Sequence, residues 1–99
     1  MLFGRSSNRL QRVVMETTVD VKHVQNQIIE KNGNVDMLPK TFYRYHYSTI
    51  SSKRDEITRL LNDDSSLKMS YVQGIEGPVP AIAYLMWLEK WLEILHKHC

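Results

Sequence analysis

Residues 40–50 read "KTFYRYHYSTI", placing Phe42, Tyr43, Tyr45 and Tyr47 around Arg44 and His46. The period given to this stretch separates an all-helical chain from a mixed one. As a strand, it would turn Thr41, Tyr43, Tyr45, Tyr47 and Thr49 to one face and Phe42, Arg44, His46, Ser48 and Ile50 to the other, an arrangement tyrosine and threonine favour. As a helix starting near Pro39, it groups Phe42, Tyr45, His46 and Thr49, with Tyr43, Tyr47 and Ile50 beside them. A lone strand cannot satisfy its own backbone, and the chain offers it little to pair with. Helix is therefore preferred, with a short strand or hairpin over 41–48 as the alternative.

Both flanks support a helical chain. Downstream, Ser51 or Ser52 can cap a short helix with Asp55 and Glu56 in its first turn and Ile57, Leu60 and Leu61 on its buried edge. Upstream, Leu10, Val14, Thr17, Val21, Val24 and Ile28 recur every three or four residues, the spacing of one helical stripe. Ser7 or Asn8 can cap its start, and Gly33 can take the left-handed stop. A strand competes here too, because Met15, Thr17, Val19 and Val21 alternate with polar residues and are mostly β-branched. The helical series is longer and has caps, and it wins.

Residues 34–40, "NVDMLPK", read as a connector. "NDDSS" breaks the helix before it, and "LKMSYVQ", residues 67–73, is either a short helix or a strand. "GIEGPVP", residues 74–80, reads as a loop of fixed shape, with Pro80 at the first helical position of the last helix. That helix, residues 80–97, is the strongest element. Leu85, Leu88, Leu92 and Leu95 form one apolar ridge, and Tyr84, Trp87, Trp91 and Ile94 form a second. Two ridges exceed what one neighbour can cover. Either this helix is central, or one ridge faces the core and the other a partner.

A chain of 99 residues with one cysteine, Cys99, is expected to form one domain over 1–99 without an internal disulfide, its first seven residues a flexible basic arm. The start does not read as a secretory signal, and "AIAYLMWL" is too short to span a membrane. The expected setting is soluble and intracellular, cytoplasmic or nuclear, with no membrane partner.

The formal charge is only +2, but Arg5, Arg9 and Arg12 lie in an acid-free stretch, as do Lys40, Arg44, Lys53 and Arg54. With Tyr43 and Tyr45 as stacking platforms, Arg5, Arg9, Arg12, Arg44, Lys53 and Arg54 could form a surface for RNA or single-stranded DNA. Signals for chemistry are lacking. His96 and His98 point to different sides of a helix, no metal-ligand spacing occurs, and the glycines of "GIEGP" lack the lysine and setting of a phosphate loop. No cofactor, no metal and no enzymatic activity are expected.

The sequence therefore predicts a mainly α fold, a small bundle of about four helices, with the strand or hairpin near 41–48 giving an α+β alternative. The leading function is a non-enzymatic protein–protein interaction module. It would self-associate, as a homodimer or with another protein, through Tyr84, Trp87, Trp91 and Ile94, because tryptophan and tyrosine bury much area while freezing few rotamers. Nucleic-acid binding is the alternative.

Overall fold

A computed structural model describes the backbone from Gly4 to Cys99 and the side chains from Ser7 onward. Three α-helices, α1 (Gly4–Glu30), α2 (Lys40–Asp63) and α3 (Ala81–Lys97), are joined by two 3-10 turns and one hairpin of β1 (Tyr71–Gly74) and β2 (Gly77–Pro80). The fold is mainly α with a short hairpin, and it has three helices rather than about four.

The count drops because the two helices expected over 40–50 and after Ser51 are one. Ser51 and Ser52 lie inside α2, and no proline or glycine interrupts it. Residues 41–48 are therefore helix, not strand or hairpin. The chain's only strands among the described residues pair with each other, Tyr71 against Pro80 and Gly74 against Gly77, so nothing remains to pair with a strand at 41–48.

The hairpin lies where a fixed loop was expected. Gly74 and Gly77 bracket a two-residue turn, and Gly77 takes a φ of 128°, a region closed to most side chains. Pro78 and Pro80 fall at alternate positions of β2. Antiparallel pairs alternate between bonded and non-bonded, so both prolines occupy the kind that needs no N–H. Pro80 precedes α3 as its cap rather than forming its first residue.

In α1, burial separates helix from strand. Thr17 and Val21 are fully buried, whereas Met15 and Val19, which a strand would place on the same face, are exposed. Leu10, Val14 and Val24 complete the stripe. The polar β-branched residues are satisfied within the helix, Thr17 Oγ1 donating to the Val13 carbonyl at 2.6 Å and Thr18 Oγ1 to Val14 at 2.8 Å. The caps expected at Ser7 or Asn8 lie inside α1. Its end is as expected, with Asn32 and Gly33 at positive φ and the Gly33 N–H returning to the Ile28 carbonyl at 3.0 Å.

Helix α2 packs against both α1 and α3, while α1 and α3 meet mainly through single side chains. Tyr43, Ile50, Ile57 and Leu61 of α2 are buried in the shared core, as are Leu88 and Leu95 of α3. Each such side chain contributes about 1.5–3 kcal/mol of burial free energy. The hairpin rests on α1 through buried Val72, where Gln11 Nε2 donates to the Tyr71 carbonyl at 2.8 Å. The Ala81 N–H bonds the Ser70 carbonyl at 2.9 Å, which ties the base of the hairpin to the start of α3.

Candidate protein-interaction surface

The two ridges of α3 meet different fates. Leu85, Leu88, Leu92 and Leu95 are all buried. On the second ridge burial falls off along the helix: Tyr84 is buried, Trp87 and Trp91 are half-buried, and Ile94 is 40% exposed. The cause is the placing of neighbours. Helix α2 covers one side of α3, where Arg54 reaches Glu89 at 3.7 Å and the Tyr47 and His96 rings lie 5.4 Å apart. On the other side α1 touches α3 through Tyr84. The Tyr84 hydroxyl lies 2.7 Å from Thr18 Oγ1, and both hydroxyls face the Val14 carbonyl oxygen, at 3.2 and 2.8 Å. Burial pushes the Tyr84 phenol up to about 12, outweighing the opposing hydrogen bond to Thr18. Tyr84 therefore belongs to the core, a correction to its expected place on the contact surface.

Beyond Tyr84, the flank of α3 that carries Ala83, Trp87, Lys90 and Ile94 is only partly covered: Ala83, Lys90 and Ile94 are exposed and Trp87 is half-buried. A hollow of about 210 Å³ opens beside Trp87, walled by the hairpin residues Ile75, Glu76 and Val79 and by Gln25 of α1, with Ala83 and Tyr84 alongside. The hairpin wall was not foreseen from sequence. Its signal was present in two glycines enclosing two residues, but the prolines of "GPVP" masked it as a loop. Gly74 keeps this turn close, since a side chain there would meet the Gly77 carbonyl oxygen at 3.2 Å.

The residues expected to bind nucleic acid are not gathered into one basic surface. Arg9 pairs with Glu56 at 3.0 Å, Lys53 with Glu16 at 2.6 Å, and Arg54 with Asp55 at 2.8 Å as well as with Glu89. The Lys53 hydrogen bond, reinforced by its charge, holds the Glu16 carboxyl below the usual carboxylate range. At ~100° per residue, Lys53 falls on the opposite side of α2 from Arg44. Arg12 and Arg44 are exposed and make no ion pair among the described residues, and Arg5 lies outside the described side chains. Tyr43 is buried, its hydroxyl donating to the Val35 carbonyl at 2.7 Å, and burial raises its pKa. It cannot serve as a stacking platform. Tyr45, 66% exposed, can.

His46 is 7% exposed, and its Nδ1 is buried without a hydrogen-bond partner. Its ring packs on Phe42 at 4.6 Å, on Tyr45 at 5.1 Å and on His23 of α1 at 5.3 Å. Desolvation lowers its pKa, helped by His23 and opposed by Asp20. Among the described residues no group of three or more ligating side chains could hold a metal ion, and no helix is long and apolar enough to cross a membrane.

Among the described residues, these features define a three-helix domain with a hairpin packed on α1 and α3 and a partly exposed tryptophan flank. Compared with protein-family models, curated proteins and solved structures, the chain matches none.

Proposed function

We propose that this chain is a non-enzymatic interaction module whose contact surface is the α3 flank carrying Trp87, Trp91 and Ile94. The observation behind this reading is the pairing of two half-buried tryptophans with an exposed isoleucine on one continuous flank of α3. Such a flank combines large apolar area, already held in place by the core, with a nearby concavity, the combination found at binding hot spots. Preset rings lose little entropy on docking, so a larger share of their burial appears as affinity.

The test is site-specific photocrosslinking in cells, with a photoreactive residue in place of Ile94 and a second probe in place of Arg44 on α2. Adducts at position 94, to this chain or to another protein, that disappear with Trp91→Ala are the expected result. Equal adducts at both positions, or none at position 94, would sink the reading.

Nucleic-acid binding is the second reading, supported by the adjacent exposed Arg44 and Tyr45. It requires Arg44→Ala to weaken binding of a labelled RNA or DNA strand and to flatten its salt dependence. The ion pairs at Arg9, Lys53 and Arg54 leave it fewer cations than the sequence offered.

A further inference from the structure

We infer that the hollow beside Trp87 is a site for an alkylammonium group, supplied by a lysine side chain of a partner polypeptide. The inference rests on the reading of the α3 flank as a contact surface and adds the chemistry of what docks there.

At about 210 Å³ the hollow has room for a single long side chain and not for a packed element. Its lining is of two kinds. Ile75, Val79 and Ala83 give an aliphatic wall that suits a run of methylene groups. Trp87 and Tyr84 add two rings whose centroids lie 5.2 Å apart, with planes tilted by 42°. Aromatic faces carry negative charge density, so a cation beside them is attracted.

Charge selects the end group. Glu76 is the one ionised group in the lining, because the Tyr84 phenol keeps its proton to about 12. Other carboxylates already have a base, Glu56 from Arg9, Glu16 from Lys53, and Asp55 and Glu89 from Arg54. Glu76 makes no ion pair among the described residues, and no lysine, arginine or histidine lines the hollow. Lys90, one turn beyond Trp87, stays outside it. An anion would meet the carboxylate with nothing to balance it. A wholly apolar group would take water from Glu76 and from the Gln25 carboxamide without replacing it. An ammonium on an apolar stem answers both demands, with the stem on the aliphatic wall and the head beside the rings and the carboxylate. Ala83 and Trp87 belong both to the hollow and to the flank, so a polypeptide lying along the flank can insert a side chain there.

Two-dimensional NMR of the full chain tests the site, since the Trp87 and Trp91 indole N–H groups and the Gln25 carboxamide give separate signals. The probe is a blocked glycine–lysine–glycine peptide, set against the same peptide carrying norleucine and against pentylammonium. The lysine peptide is expected to shift the Trp87 and Gln25 signals saturably and more than that of Trp91. Norleucine, which keeps the stem and lacks the charge, should bind about tenfold more weakly. Glu76→Gln, at an exposed turn position, should weaken the lysine peptide by about three- to fivefold and leave norleucine unchanged.

Equal binding of lysine and norleucine, or an unchanged lysine affinity in Glu76→Gln, overturns the cation site. Pentylammonium that binds more tightly than the peptide overturns the lysine as its source. If the peptide leaves the Trp87 signal in place while adducts at position 94 persist, the hollow is not the site and the contact surface stands. Loss of those adducts as well would remove both readings.

Discussion

The aromatic rings of α2 and those of α3 are alike in sequence and opposite in fate. Each group contains one tyrosine whose hydroxyl reaches a backbone carbonyl of another element, Tyr43 at Val35 and Tyr84 at Val14. Helix α2, however, lies between α1 and α3, and apart from the exposed Tyr45 its rings are spent on internal contacts, with Phe42 packed on Tyr43 and His46, and His46 on His23. Helix α3 has a full helical neighbour on one side only. Burial along its ridge declines after Tyr84, through the half-buried Trp87 and Trp91 to the exposed Ile94. The number of neighbouring helices, more than the number of rings, determines which aromatics stay accessible.

Deleting rings would test this contrast most strongly. Tyr84→Ala should cost about 3–5 kcal/mol in urea unfolding, the range for emptying a large buried site. Trp91→Ala should cost well under half of that while removing crosslinks at position 94. Comparable losses in stability would mean that α3 has no separate contact edge.

Acid should discriminate next. The His46 pKa is lower in the folded chain than its usual 6.5, so the unfolded chain takes up protons that the folded one refuses. Its contribution to stability is complete above about pH 6.5 and is lost as pH falls from there toward the folded value. The groups known to face it are Asp20 and His23 from α1 and Tyr45 from α2. Thermal melts of His46→Leu should show a flatter profile across this window, and an unchanged slope would dismiss His46 as its source. At the alkaline end, Tyr84 holds its proton to about 12 when folded and to about 10 when unfolded. Stability should therefore fall as pH rises above 10, by at most ~1.4 kcal/mol per unit.

Finer substitutions refine the comparison. Tyr43→Phe removes the donor to the Val35 carbonyl and should cost about 0.5–1.5 kcal/mol, measurable by chemical denaturation. A cost near zero would mean that water replaces the donor. Tyr45→Ala, on the solvent side of α2, should stay within ~0.5 kcal/mol. A larger loss would place that ring in the core after all.

Much of this architecture was legible in the residues. The stripe from Leu10 to Val24, the left-handed stop at Asn32-Gly33, the leucine ridge of α3 and the helical period of 40–50 arise from local geometry, because each is a repeat or a dihedral preference that needs no distant partner. Three features were not legible. The merging of two expected helices into α2 depended on the absence of any breaker at Ser51-Ser52, and serine caps and serine interiors look alike in a short window. The hairpin depended on Gly74 and Gly77 meeting across a turn whose prolines also suit a loop. The candidate site depended on which of four ridge residues a neighbour would cover.

Local sequence therefore set the helices, their apolar faces and the supply of tryptophan, since backbone propensity and side-chain period act over a few residues. Assembly in three dimensions assigned Tyr84 and Tyr43 to the interior, paired Arg9, Lys53 and Arg54 with acids, and left the flank from Trp87 to Ile94 partly exposed. Burial and ion pairing depend on residues far apart in the chain, such as Tyr84 with Thr18 or Lys53 with Glu16, and become defined only when α1, α2 and α3 pack.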